Sequence, residues 1–224
     1  NGVKVFAVET GVEVTSFSGH SHNVTSVAFS PDGKLICSGS EDSTVKVFAV
    51  ETGVEVPSFS GHSHIVTAVA FSSDGKLVCS GSVDRTVKVF AVETGIEVNN
   101  FSERDDIVTS VAFSPDGKLI CSGSEDSTVT VFAVETGTEV TRFTGHSAGV
   151  TSVACSPDGK FVCSGSWDTT VKVFAVDTGI EITNFTGHEK AVASVAFSAD
   201  GKLICSGSHD KTVKVFAVDT GIEI

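Results

Sequence analysis

The stretch Val-Lys-Val-Phe-Ala-Val-Glu-Thr-Gly occupies residues 45–53, and it decides the fold because it returns at a fixed interval. Close copies begin at residues 3, 87, 129, 171 and 213, so the central phenylalanine recurs every 42 residues. A constant period of this length is typical of a tandem array, in which each unit packs against its neighbours. We therefore predict one domain, 1–224, or a segment of a longer array, that consists of a partial repeat, 1–14, and five full repeats, 15–56, 57–98, 99–140, 141–182 and 183–224.

Composition and charge exclude several classes of function. The chain has 28 acidic and 15 basic residues, giving a net charge of −13. Nucleic-acid binding requires lysine and arginine that replace the counterions of phosphate, so we predict no nucleic-acid partner. A negatively charged membrane surface is disfavoured for the same reason. No apolar run approaches the roughly 18 residues that a membrane-spanning helix requires, and we predict no membrane partner.

Each repeat contains four short strands separated by turn signals. In the first full repeat, residues 24–29 are β-branched and aromatic, and Ser30-Pro31-Asp32-Gly33 has the residues of a tight turn. Further turns are predicted at residues 41–43 and 51–53. The four predicted strands are 24–29, 34–40, 44–50 and 54–59. Since four strands leave no room for a helix in 42 residues, the fold class is all-β, with four-stranded antiparallel sheets.

The third strand of each repeat is apolar on both faces. Val45, Val47 and Ala49 lie on one face, and Lys46, Phe48 and Val50 lie on the other. A sheet of this kind requires a packed neighbour on each side. Closing the stack of sheets into a ring, as in a β-propeller, meets this requirement, because a ring leaves no sheet with a bare face.

Several short motifs in each repeat resemble one known family. They are Gly19-His20, Ser30-Pro-Asp-Gly33, Ser38-Gly39-Ser40, Asp42 and Thr44-Val-Lys-Val47. At this spacing, over essentially the whole chain, they resemble the WD-repeat β-propellers. One departure is that the Trp-Asp dipeptide of that family is replaced by Phe-Ala in every repeat, as at Phe48-Ala49.

The resemblance implies a hydrogen-bonded network inside each blade, in which a serine such as Ser38 joins a histidine and an aspartate. The implied pairs are His20 with Asp42, His62 with Asp84, His146 with Asp168, and His188 with Asp210. In the third repeat Glu103-Arg104 replaces Gly-His, and Arg104 is the candidate partner of Asp126. Phenylalanine has no N–H, so the indole end of the family's network cannot form.

No catalytic site, cofactor or metal is predicted. The Ser–His–Asp set occurs in four repeats, whereas a hydrolase needs one asymmetric pocket with an oxyanion donor. His-Ser-His occurs at 20–22 and 62–64, where we interpret His22 and His64 as exposed loop residues. The Ser-Pro-Asp-Gly-Lys turn lacks the glycine spacing that binds phosphate.

The six cysteines bear on the cellular compartment of the protein. Five occupy equivalent repeat positions, Cys37, Cys79, Cys121, Cys163 and Cys205, and the sixth, Cys155, replaces a phenylalanine. We expect equivalent cysteines to lie roughly 10 Å apart, too far for a disulfide, and interpret them as small, buried, reduced residues. Unpaired cysteines favour a cytoplasmic location, whereas sequons at Asn23, Asn100 and Asn184 leave an extracellular one open.

Sequence differences among the repeats concentrate in two segments. One segment follows the Gly-His motif. The other is the residue before the aspartate in the turn after the second strand of each repeat. In a four-stranded meander both lie at the same end of the blade, so the variation collects on one rim. The candidate partner-binding residues on that rim are Trp167, Val83, His209, Ile65, Glu41 and Glu125.

These observations predict a non-enzymatic scaffold that binds a protein or peptide through the variable rim. An alternative is a self-assembling or filament-forming structural protein, because residues 1–14 repeat the content of residues 211–224 and both supply a third strand. Residues 12–17 are a candidate clasp for the last blade. A ligand-binding or glycan-binding propeller is a further alternative.

Overall fold

The computed structural model describes residues 2–102 and 106–224, which form twenty-one β-strands. The strands are β1 Gly2–Phe6, β2 Glu13–Ser18, β3 Val24–Phe29, β4 Leu35–Ser40, β5 Val45–Ala49, β6 Glu55–Phe59, β7 Val66–Phe71, β8 Leu77–Ser82, β9 Thr86–Ala91, β10 Glu97–Ser102, β11 Val108–Phe113, β12 Leu119–Ser124, β13 Val129–Ala133, β14 Glu139–Phe143, β15 Val150–Cys155, β16 Phe161–Ser166, β17 Val171–Ala175, β18 Glu181–Phe185, β19 Val192–Phe197, β20 Leu203–Ser208 and β21 Val213–Ala217.

The strands form four complete blades, one three-stranded blade and one half-blade. Blades 1 to 4 are the antiparallel sheets β3–β6, β7–β10, β11–β14 and β15–β18, and blade 5 is β19–β21. The half-blade is the hairpin β1–β2, which pairs Val3 with Phe17. The predicted all-β class and the four-stranded repeat are confirmed.

Two kinds of turn place residues in the left-handed backbone region. Gly33 has φ +70°, as expected for the glycine that closes the turn after a first strand. The turns between second and third strands use other residues there, Ser43, Arg85, Ser127, Thr169 and Lys211, with φ between 67° and 73°. The sequence pattern did not indicate this second group, because left-handed geometry favours glycine.

Adjacent blades pack through a glycine that faces two valines. A Cβ placed on Gly81 would lie 2.5 Å from Val108 and 3.1 Å from Val111, in the next blade. Gly39, Gly123 and Gly165 meet equivalent valines. The inner strands also bond across each junction, where the Thr67 hydroxyl donates to the Val108 carbonyl at 2.6 Å.

The repeated phenylalanines form a ring pair at every junction, stacked at four of them and tilted by 31° between Phe59 and Phe90. The ring on the fourth strand of one blade lies against the ring on the third strand of the next blade. The pairs are Phe17–Phe48, Phe59–Phe90, Phe101–Phe132, Phe143–Phe174 and Phe185–Phe216, with centroids 4.5–5.1 Å apart. Because all of these rings are buried, Phe in place of Trp supplies the apolar contact between blades.

Part of a blade face is uncovered at each end of the row of blades, although the half-blade packs Val3 and Phe17 against Ile36 and Phe48 of blade 1. On blade 1, Val27 is 53% exposed, whereas Val69 in the same repeat position of blade 2 is 6% exposed. On blade 5, Val213 is 75% exposed, and a Cβ on Gly207 would have no neighbour within 4 Å. The described blades therefore form an open arc and not the closed ring that the apolar faces predict, because no blade covers these two faces. The candidate clasp, residues 12–17, pairs with β1 and not with blade 5.

The residues that the structure describes include no helix of the length and apolarity needed to cross a bilayer.

Candidate functional site

The two variable segments of each repeat lie side by side at one end of the blades. A backbone hydrogen bond joins them in each blade, as when the Trp167 amide donates to the Gly149 carbonyl at 2.9 Å and the Val83 amide donates to Ile65 at 2.9 Å. We call this end the loop rim. It comprises described residues 19–23, 41–43, 61–65, 83–85, 106–107, 125–127, 145–149, 167–169, 187–191 and 209–211.

In each of four blades, a buried Ser–His–Asp–Thr network connects the loop rim to the sheet. In blade 4, His146 Nε2 lies 2.7 Å from Ser164 Oγ, and His146 Nδ1 lies 2.8 Å from Asp168 Oδ2. The Thr170 hydroxyl donates to the other carboxylate oxygen of Asp168 at 2.6 Å. The same arrangement joins His20 to Ser38 and Asp42, His62 to Ser80 and Asp84, and His188 to Ser206 and Asp210.

The charges of this network follow from burial and hydrogen bonding. Burial lowers the pKa of His146, although Asp168 opposes that shift, and the pKa of His62 is lowered in the same way. Burial alone would raise the pKa of Asp168, but bonds from Thr170, the Ser147 amide and His146 outweigh it and hold that pKa at about 2. A neutral imidazole then donates its Nδ1–H to the carboxylate, and Nε2 accepts the serine proton.

The networks position the loop rim and offer no nucleophile to a substrate. Ser38, Ser80 and Ser164 have no exposed surface, and Ser206 is 1% exposed. The aspartate also accepts a backbone bond from the residue after the histidine, as from Ser147 N to Asp168 at 2.9 Å. The network thereby ties the segment before the first strand to the turn after the second strand.

Blade 3 departs from this arrangement. Arg104, the candidate partner of Asp126, lies outside the described residues. Arg142 of β14 brings Nη1 to 3.9 Å from Asp126 Oδ2, and Thr128 donates to Asp126 at 2.7 Å. A positively charged side chain from the fourth strand thus lies near Asp126. The sequence pattern did not suggest this contact, because no other repeat has arginine at the position of Arg142.

The structure brings two of the predicted partner-binding residues together. Trp167 is 54% exposed, and its ring lies edge-on to that of His209 in the next blade, with centroids 5.5 Å apart. Ile65 and Val83 are half-buried on blade 2, which blade 3 separates from Trp167. Glu125 is exposed on blade 3, and Glu41 is half-buried on blade 1, where it accepts a hydrogen bond from Asn23.

Apolar grooves lie at the opposite rim, a feature that the comparison of repeats missed. One groove runs between blades 3 and 4, beside Val140, Phe161 and Val176, and a similar groove lies between blades 4 and 5. Their lining residues barely differ among repeats, so sequence variation gave no signal there.

The cysteines follow the expectation only in part. Cys37, Cys79, Cys121 and Cys163 are buried, but Cys155 is half-buried and Cys205 is exposed on the uncovered face of blade 5. In residues 2–102 and 106–224, the structure groups no three histidine, cysteine or acidic side chains in a way that would hold a metal ion.

Fold and site together define a repeat protein built as an arc of β-propeller blades, with one variable rim held by buried polar networks. The profile described as "WD domain, G-beta repeat" matches residues 11–48, 53–90, 95–132, 137–174 and 179–216. The chain belongs to the WD-repeat family, which confirms the resemblance drawn from the motifs. A search of curated proteins gave no significant match. Members of this family are generally protein-interaction scaffolds and not enzymes.

Proposed function

We propose that this chain is a non-enzymatic scaffold that binds a protein or peptide segment on the loop rim at Trp167 and His209. The observation that carries the proposal is the exposed indole of Trp167 packed against His209 on the neighbouring blade. Tryptophan is enriched among the residues that dominate binding energy at interfaces. Here the side chain is presented by a turn whose aspartate is fixed by four hydrogen bonds from Ser147, Thr170 and His146.

The charge of the protein indicates the chemistry of the partner. A net charge of −13 attracts positively charged segments over long range and repels acidic ones. The partner segment that fits is therefore basic overall and carries one apolar or aromatic side chain for the surface of Trp167. A protein or peptide of this kind is favoured over nucleic acid, a membrane, a glycan or a small ligand.

A displayed peptide library tests this proposal. The library is selected on the wild-type chain, and the recovered peptides are measured on three variants: Trp167→Ala with His209→Ala, Ile65→Ala with Val83→Ala, and Glu51→Ala on the opposite rim. We expect basic peptides whose affinity falls at least about tenfold on the first variant and is unchanged on the third. A uniform affinity across all variants would overturn the proposal, and a loss confined to the second variant would move the site to blade 2.

Self-association is the second candidate, and the two uncovered faces of the arc favour it. The face of blade 5 at Gly207 repeats the surface that receives Val66 and Val69 at Gly39, and Val24 and Val27 of blade 1 repeat those valines. We propose that a second copy of this chain joins head to tail through these faces. Because β1 and β21 are both third strands, one of them must leave its position in the joined blade.

Light scattering across a range of protein concentrations tests this association. A mass that rises above 23.1 kDa with concentration supports it, and Val27→Glu should abolish the rise, since Val27 is exposed in the single chain. A constant mass of 23.1 kDa at every concentration would exclude it.

A further inference from the structure

Two cysteine side chains meet at the junction of blades 3 and 4. The Sγ atoms of Cys121 on β12 and Cys155 on β15 lie 2.9 Å apart. A disulfide bond is roughly 2.0 Å long, so the sulfurs are about 0.9 Å from bonding distance. These residues occupy different repeat positions, and the roughly 10 Å spacing of equivalent cysteines does not apply to them.

This pairing is confined to one junction. At the three other junctions among blades 1 to 5, the same two positions hold a cysteine and a phenylalanine packed in one apolar cluster. They are Cys37 with Phe71, Cys79 with Phe113, and Cys163 with Phe197. Cys155 thus replaces the aromatic ring with a second thiol at the position that contacts the buried cysteine of the preceding blade.

We propose that Cys121 and Cys155 form a redox-active pair that closes to a disulfide between blades 3 and 4 when a low-molecular-weight disulfide is the oxidant. The proposal extends beyond partner binding at the loop rim and does not depend on it. It assigns a covalent modification site to two residues that otherwise contribute to the packing between blades.

The accessibility of the two thiols sets the order of the steps. Cys155 is half-buried and Cys121 is 1% exposed. The contact with Cys155 and burial both raise the pKa of the Cys121 thiol, so Cys121 reacts poorly with an external reagent. Cys155 therefore attacks the external disulfide first, forming a mixed disulfide and releasing one small thiol.

The second step is internal. The sulfur of Cys121 attacks Cys155 Sγ, the bond from Cys155 to the small thiol breaks, and the departing sulfur takes the proton of Cys121. Overall, two protein thiols are oxidised, and one external disulfide is reduced to two thiols. No large movement of the blades is required, because the two sulfurs are already in contact.

The disulfide would tie two blades that are otherwise held by packing and hydrogen bonds. It joins residues 34 positions apart, so it restricts the unfolded chain over most of one repeat. We expect oxidation to raise Tm by about 5–10 °C for a chain of this length.

The test uses the 224-residue chain with Cys205→Ala, since the exposed Cys205 would otherwise cross-link separate molecules. Folded protein is incubated with oxidised glutathione, digested, and mapped by mass spectrometry. We expect a peptide pair linked through Cys121 and Cys155, and a loss of two free thiols that dithiothreitol reverses.

The matched control is Cys155→Phe, which restores the residue found at the other three junctions and keeps the fold. It should show neither the linked peptides nor the rise in Tm. Recovery of Cys155 only as a stable mixed disulfide with glutathione, or as an unreacted thiol in folded protein, would overturn the proposal. Linked peptides that appear only after denaturation would overturn it as well.

Discussion

Thr169 has a left-handed backbone, with φ 73°, although it is β-branched. This conformation is costly for β-branched residues and free of that cost for glycine. We predict that Thr169→Gly raises the free energy of unfolding by about 1 kcal/mol, measured by urea denaturation. The control is Thr170→Gly. It should lower the same quantity by about 1–3 kcal/mol, since the Thr170 hydroxyl bonds Asp168 at 2.6 Å. A loss of stability in Thr169→Gly would contradict the argument from strain.

The buried networks predict how stability depends on pH. The pKa values of His62 and His146 are lowered in the folded chain, so the unfolded chain binds more protons as the pH falls below about 6.5. The pKa of Asp168 is held at about 2, so its contribution is present above about pH 4 and is lost between about pH 4 and 2. Both effects have the same sign, and acidification destabilises the fold.

Urea denaturation at pH 5, 6, 7 and 8 measures the histidine part of this effect. We expect the free energy of unfolding to fall from pH 7 to pH 5, and to fall less steeply in the double variant His62→Gln, His146→Gln. The slope with pH is the readout, because the substitutions themselves lower stability. An unchanged slope in the double variant would show that these two histidines do not cause the dependence.

At the residue scale, the repetition of motifs explains which side-chain contacts could be predicted from the sequence and which could not. The pairs such as His146 and Asp168 could be predicted because the motif recurs at fixed spacing in four repeats. The contacts of Cys121 with Cys155, and of Arg142 with Asp126, each occur once. A single substitution acquires its partner only through the packing of the folded chain, so the comparison of repeats gave no signal for it.

At the scale of elements, substitution of the glycine in a second strand reports whether a neighbouring blade covers that face. We predict that Gly81→Ala lowers the free energy of unfolding by about 1–3 kcal/mol, because the added methyl group would lie 2.5 Å from Val108. Gly207→Ala, at the same repeat position, should be neutral or stabilising by up to roughly 1 kcal/mol. Urea denaturation of both variants, at low protein concentration, measures the difference. Equal losses in both would mean that the face of blade 5 is covered in solution.

The positions of the strands were largely predictable from the sequence, but their first and last residues were not. The prediction 24–29 matches β3, whereas the predicted strands 34–40, 44–50 and 54–59 are one or two residues longer than β4, β5 and β6. The extra residues belong to the turns, where Val50 N donates to the Lys34 carbonyl and Ala49 N donates to the Val54 carbonyl. Alternating apolar residues define which segments pair, but hydrogen bonding in the turns decides where pairing stops.

At the scale of the whole molecule, one substitution distinguishes blade 5 from the others. Thr25, Thr67, Thr109 and Thr151 each donate a hydrogen bond to the inner strand of the next blade. Blade 5 has Ala193 at this position, and it is exposed. A second copy docked on blade 5 would therefore lack one of the bonds that join the blades within the chain.

Ala193→Thr restores that donor. We predict that this variant strengthens head-to-tail association about threefold to tenfold, since one added hydrogen bond contributes roughly 1 kcal/mol. Light scattering as a function of concentration measures the change. The stability of the single chain should rise only slightly, because the one added contact within the chain is a shared bond to the Gly207 carbonyl, like that from Thr67 to Gly81 at 2.9 Å. Ala193→Ser, which keeps a hydroxyl without the β-branch, should give part of the effect, and Ala193→Val, which keeps the shape without the hydroxyl, should give none. Equal association in the Thr and Val variants would assign the effect to strand propensity and not to the bond between blades.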